Sequence, residues 1–155
     1  VPSSAAVRRA GPDDAPGLVA LRVELMRAMG EDGADAPEWQ DRALAWFRAA
    51  LAGGDAAAFV VDGDDGVVAG ALGTLHRGAP SARNPRGLTA HVTNVCTLPG
   101  ARGQGLARAC VEAAIGWSRA AGVDSVALHT TPDGEGLYRS LGFTDTTYTE
   151  LRLRW

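Results

Sequence analysis

Pro99-Gly100-Ala101-Arg102-Gly103-Gln104-Gly105-Leu106-Ala107 decides how the rest of this 155-residue sequence is read, because it stands between a strand-type run and a helix-type run. Upstream, Leu88 to Leu98 is rich in Val and Thr and predicts a strand. Downstream, Gln104 to Ala121 carries Leu106, Cys110, Ala113 or Ala114, and Trp117 at helical spacing, with Gly122 placed to cap the end. A glycine-rich turn opening a helix leaves several backbone N–H groups unpaired and aimed at one point, where the positive end of the helix dipole also acts. Arg102 adds a guanidinium fork suited to phosphate oxygens, and Gly103 and Gly105 let a ligand approach without a Cβ in the way. The stretch therefore reads as a pyrophosphate site. The plainer alternative is that the two glycines only cap the helix. A dinucleotide fingerprint does not fit: Arg108 stands where a third glycine belongs, and Asp124 lies at the start of the following strand, not at its end.

Working outward, Ala6 to Ala10 predicts an edge strand, followed by a helix from Asp13 to Met29 whose Leu18, Leu21, Leu25 and Met29 share one face. A second helix spans Glu38 to Leu51, with Trp39 and Trp46 on its common face. Ala56 to Val61 and Val67 to Leu75 form a hairpin around Asp62 to Gly66. Beyond the central helix come a strand from Val123 to His129, a short helix from Asp133 to Leu141, and strand-type residues at Phe143 and from Tyr148 to Leu153, which form two final strands or one interrupted strand. The expected fold class is α/β, a mixed sheet covered by helices in the order β-α-α-β-β-β-α-β-α-β-β. No repeat or linker divides it, so residues 1–155 read as a single domain with residues 1–5 as a tail.

Composition narrows the chemistry. Hydrophobic residues make up 46% and charged residues 21%, as in a globular domain able to bury a core without staples. All fifteen basic residues are Arg, which excludes Schiff-base catalysis and a lysine-dependent phosphate loop. The formal charge of -3 argues against nucleic acid as a partner. No long apolar run or leader points to a membrane, and two cysteines, Cys96 and Cys110, are too few for a disulfide framework; a cytoplasmic location is expected. His76, His91 and His129 lack metal-ligand spacing, so no metal is expected, and no Gly-x-Ser-x-Gly elbow occurs.

Two motifs carry a resemblance. Arg102 to Ala107, with Pro99 three residues upstream, resembles the (Arg/Gln)-x-x-Gly-x-(Gly/Ala) signature of the GCN5-related N-acetyltransferases. Gly136-Leu137-Tyr138-Arg139-Ser140-Leu141-Gly142-Phe143 resembles their Leu-Tyr-x-x-x-Gly-Phe segment, and the element order is similar to that fold from residue 6 to residue 153. The resemblance implies acetyl-CoA as cosubstrate, lying in a V-shaped opening between the strand ending near Leu98 and the strand ending near His129. It implies that the backbone of Val95, Cys96 and Thr97 holds the pantetheine and acetyl carbonyl, and that the amides of Arg102, Gly103, Gln104, Gly105, Leu106 and Ala107 wrap the pyrophosphate. Tyr138 falls on the general acid. Thr131 stands where the family often carries a cofactor-contacting Asn, so that contact is weakened or replaced. The implied reaction is direct acetyl transfer to the primary amine of a small molecule or peptide. A CoA-binding sensor without turnover is the alternative, and a homodimer built through the C-terminal strands is a possible assembly.

An amine with a pKa of about 10.4 leaves only one molecule in a few thousand nucleophilic at neutral pH, so a base or water chain is required. The departing thiolate is better stabilised when a phenol gives it a proton, the role assigned to Tyr138. His91, on the strand leading to the opening, has the imidazole pKa of a base. Asn94 is placed by strand alternation on the face opposite His91, where it could orient a water. Glu24 and Glu31 border the acceptor side and could bind or deprotonate an amine, against the plainer reading of solvated acids. Trp39 and Trp46 could wall an acceptor pocket or pack in the core. Cys96 reads as a buried thiol, not a nucleophile.

Overall fold

The hairpin residues set the architecture. Val60 and Val61 stand opposite Gly70 and Ala69 in an antiparallel ladder, and the strands on either side extend it into one sheet. In a computed structural model describing residues 6–155, the elements run β1 (Arg8–Arg9), α1 (Ala15–Ala28, entered through a 3-10 turn at Pro12–Asp14), α2 (Pro37–Ala52), β2 (Ala56–Gly63), β3 (Gly66–Arg77), β4 (Leu88–Thr97), α3 (Leu106–Ala120), β5 (Val126–Ala127) and α4 (Pro132–Ser140). Strand order in space follows the sequence, β1-β2-β3-β4-β5, antiparallel up to β4 and parallel between β4 and β5.

Helices cover both faces. Leu18 and Leu21 of α1 and Phe47 of α2 pack with Val60 and Leu72 on one side; Cys110, Val111 and Ala114 of α3 pack with Val92 and Ala71 on the other. Phe47, 2% exposed, contributes on the order of 2–3 kcal/mol through burial alone. Two glycines of β3 make the layers thin enough: a Cβ on Gly70 would stand 2.9 Å from Leu21 Cδ1 of α1, and one on Gly73 would stand 3.0 Å from the Trp117 ring of α3.

Three sequence expectations are corrected. α3 begins at Leu106, two residues after Gln104, because Gly103 and Gly105 adopt left-handed backbone (φ +77° and +74°), which a right-handed helix cannot include. The strand expected from Val123 to His129 shrinks to Val126–Ala127, since β4 and β5 share only the rungs Ala90–Val126 and His91–Ala127 before they diverge. The final strands expected at Phe143 and Tyr148–Leu153 are absent: residues 144–155 form neither helix nor strand, because no strand among the described residues pairs with them. Leu151, Leu153 and Trp155 consequently stay exposed, at 89%, 75% and 106%. Among the described residues, no helix is long and apolar enough to cross a membrane.

Candidate functional site

Where β4 and β5 part, a cleft of about 700 Å³ opens, with α1 on one flank, β4 as its floor, and the turn into α3 and the start of α4 closing the other side. The turn supplies donors. The first bond within α3 runs from the Ala109 N–H to the Gly105 carbonyl (3.2 Å), so the amides from Gly103 to Arg108 have no helical acceptor, while the Arg102 N–H donates to the Pro99 carbonyl at 3.4 Å. A Cβ on Gly103 or Gly105 would meet nothing within 4 Å, so the turn is an open cradle. Beyond His91, the β4 backbone groups that point away from β3 have no strand partner among the described residues. A cradle for oxyanions at one end and a free strand edge leading from it fit a long phosphate-bearing ligand with amide groups along its chain.

Arg102 spans the mouth of this cleft. Its Nε donates to the Thr97 carbonyl at 3.2 Å and its Nη2 to Glu24 Oε1 at 3.3 Å. Glu24, read from sequence as an amine-binding acid, is thus engaged across the cleft by the cation of the glycine turn.

Midway along the floor, β4 carries a bulge. Gly70 faces Cys96 and Leu72 faces Thr93, which leaves Ala71 opposite both Asn94 and Val95. Asn94 takes the left-handed conformation this requires (φ +53°), and Asn is among the few non-glycine residues that tolerate it. The bulge breaks alternation, which corrects the placement of Asn94 opposite His91. Its buried side chain meets α1 instead: Nδ2 donates to the Leu18 carbonyl (3.4 Å), and Oδ1 accepts from Arg22 Nη1 (3.4 Å). Beside it, burial and the nearby Glu24 push the Cys96 thiol up to about 11, with Arg102 opposing, so the thiol stays protonated.

Tyr138 projects from α4 into the same cleft, its ring edge-on to Phe143 at 6.0 Å between centroids. Burial pushes its phenol upward and keeps it protonated. His91 lies in an adjoining cleft of about 830 Å³ that shares His129, Thr130 and Tyr138 with the first. Its imidazole is pulled below the ordinary value, first by burial, then by His76 and His129. The His76 ring stands 4.5 Å from it, and His129 Nε2 pairs with Glu150 Oε2 at 2.7 Å.

The structure therefore brings Asn94, Val95, Cys96, Thr97, Arg102, Gly103, Gly105, Leu106, Ala107, Thr131 and Tyr138 to one cleft. Gln104 lies in the turn but does not line it, Glu24 reaches it through Arg102, and His91 borders it. Trp39 packs between α1 and α2 with Nε1 donating to the Gly33 carbonyl (3.0 Å), and Trp46 is half-exposed against Phe47; neither lines the cleft. Sequence reasoning missed Arg22 and Met29. The signal available was a cation inside the apolar register of α1, four residues after Leu18 and three before Leu25.

The acetyltransferase (GNAT) family model matches residues 18–143. Among solved structures, the chain is similar to a GCN5-related N-acetyltransferase from Ralstonia eutropha JMP134 (TM-score 0.83, 23% identity, covering 96% of this chain and 97% of that one). It is also similar to a predicted acetyltransferase from Clostridium acetobutylicum solved with acetyl-CoA (TM-score 0.81, 22% identity, 95% of each chain). An aminoglycoside N-acetyltransferase in complex with CoA aligns at TM-score 0.75 and 19% identity, over 99% of this chain and 98% of that one. No protein of curated function matches the sequence.

Proposed function

The chain belongs to the acetyltransferase (GNAT) family, and on that premise we propose that it is an acetyl-CoA-dependent N-acetyltransferase that acts on a primary amine by direct transfer. The observation that carries this reading is the convergence, in one cleft, of the Gly103–Gly105 cradle, the unpaired edge of β4 and the protonated Tyr138 phenol. Acetyl-CoA would supply an activated acetyl thioester. The amides from Arg102 through Ala107 hold the pyrophosphate, and the β4 edge at Val95, Cys96 and Thr97 aligns the pantetheine and acetyl carbonyl. Thr131, at the N-terminus of α4, lines the cleft beside them. Tyr138 Oη gives its proton to the departing sulfur. His91, held neutral by burial, accepts the proton of the amine, directly or through a water, while Asn94 holds the bulge in shape. No metal takes part in this scheme. Two buried free thiols, Cys96 and Cys110, suit a reducing, cytoplasmic setting.

The same reading extends to a homodimer. Leu151, Leu153 and Trp155 alternate as a strand face does, while the outer edge of β5 is unpaired among the described residues. A second copy can meet both needs at once, segment to edge in each direction.

Calorimetric titration of acetyl-CoA and desulfo-CoA into the wild type and into Gly105→Glu tests the central claim. Micromolar binding abolished by Gly105→Glu is expected, followed by thiol release in an amine screen. Binding of neither ligand would refute it.

A further inference from the structure

We propose that Arg22 recognises the acceptor, by binding an oxyanion, a carboxylate or a phosphate monoester, carried on the same molecule as the amine. The inference rests on the reading of the cleft as an acetyl-transfer site and names the class of substrate it takes.

Arg22 carries an unbalanced charge. A half-buried guanidinium is costly unless an anion faces it. Arg8 and Arg102 each meet carboxylates, but Arg22, half-buried on the cleft flank of α1, meets no carboxylate among the described residues. Its one side-chain partner is the neutral Oδ1 of Asn94. Asn94 cannot adapt to serve it better, since its Nδ2 donates to the Leu18 carbonyl and its backbone is fixed in the bulge. Turning the amide over would set donor against donor. One contact orients the guanidinium and leaves the rest of its donors to the cleft that Thr93 and Cys96 also line.

α1 and β4, the elements that meet at Arg22, carry one acid between them, Glu24, and it pairs with Arg102. Asp133, which also lines the cleft, stands on its other side at the start of α4. A polyamine would therefore bring its second cation against Arg22 with no unpaired carboxylate on either element to receive it, whereas an anionic substituent finds a fork of matching shape. The bulge that holds Arg22 through Asn94 also sits on the free β4 edge next to Val95, where the thioester is placed. Amine and oxyanion must then lie within a few bonds of one another, as in an α-amino acid or an amino-sugar phosphate.

Thiol release by the full chain with acetyl-CoA, measured on two matched pairs of amines, tests this. One pair is an α-amino acid and its amide; the other is an amino-sugar phosphate and its unphosphorylated sugar. For one pair, the oxyanion-bearing member should show a kcat/KM about 30-fold above its neutral counterpart, and the pair that does so identifies carboxylate or phosphate. Arg22→Gln should bring that ratio close to one, and Arg22→Lys, which keeps the charge but not the fork, should leave an intermediate ratio. Circular dichroism and acetyl-CoA titration establish that each variant is folded. Equal or better turnover of the neutral members overturns the proposal, as does a ratio that Arg22→Gln leaves in place. Weakening of acetyl-CoA itself by the same factor reassigns Arg22 to the cosubstrate and also overturns it. Acetyl-CoA binding without turnover of any of the four amines overturns the proposal while sparing the cosubstrate reading; absence of acetyl-CoA binding refutes both.

Discussion

Arg102 holds Glu24 Oε1 at 3.3 Å while its Nε donates to the Thr97 carbonyl, so the cation of the glycine turn is tied at once to α1 and to the end of β4. On the proposed reading, a phosphate bound at the turn would compete with Glu24 for the same guanidinium. Glu24→Gln should therefore tighten acetyl-CoA binding about two- to five-fold, the range of a partly exposed ion pair, with the effect shrinking in high salt. Calorimetry at two ionic strengths reads it. An unchanged Kd with kcat down about 100-fold would instead make Glu24 the base.

Tyr138→Phe separates chemistry from binding. Burial is the one influence that moves the phenol, with no hydrogen-bonding or charged group acting on it, so loss of the hydroxyl should leave the thermal midpoint and the affinity for acetyl-CoA nearly unchanged. The rate should fall about 100-fold, the usual contribution of a positioned acid. Steady-state kinetics beside a thermal melt distinguishes this from a packing defect, which would move both.

His91 predicts a pH dependence with a defined sign. Burial, then His76 and His129, disfavour its charged form, so its folded pKa lies below the ordinary 6.5. Base function should persist to lower pH than a free imidazole allows, and the acidic limb of kcat should lie below 6.5. His76→Ala removes a like charge and should shift that limb upward. Fold stability has the same sign: the unfolded chain takes up this proton first, so the contribution of His91 is present above 6.5 and is lost as pH falls through the folded value. Rate profiles and urea melts across pH 5 to 8 check both.

Gly87 is a structural test. Its backbone is left-handed (φ +61°), and an added Cβ would overlap the Gly78 carbonyl oxygen at the root of the β3–β4 connection. Gly87→Ala should cost about 2–4 kcal/mol, from the left-handed penalty plus the displaced backbone. Urea denaturation should show a lower midpoint at an unchanged slope.

Leu151→Glu together with Leu153→Glu tests the homodimer. Sedimentation should give a dimer for the wild type and a monomer for the variant, since each side chain is exposed and lies on the strand face assigned to the partner. A wild-type monomer at high micromolar concentration would refute it.

Elements that rest on local chemistry were legible in the sequence. The hairpin, the helix faces and the glycine turn before α3 each follow from spacing and from Gly or Asp at fixed positions, and each lies within two residues of its expected bounds. What depends on pairing across the chain was not. The run from Val123 to His129 has strand composition throughout, but only the partner's path decides that two rungs form. Asn94 in a Val- and Thr-rich strand was a visible anomaly, and its meaning as a bulge needed Ala71 opposite it. The engagement of Glu24 by Arg102, 78 residues apart, and the lack of a carboxylate for Arg22 are likewise facts of three dimensions.

The two-rung contact between β4 and β5 has a dynamic consequence. Past His91 the β4 amides that face the cleft are held by no strand, and the sheet ends there in a two-residue edge strand. A ligand whose amides lie along that edge acts as the missing length of strand. Hydrogen exchange would then fall at Val95 to Thr97 on binding, and β5 would open together with β4 only when that length is supplied.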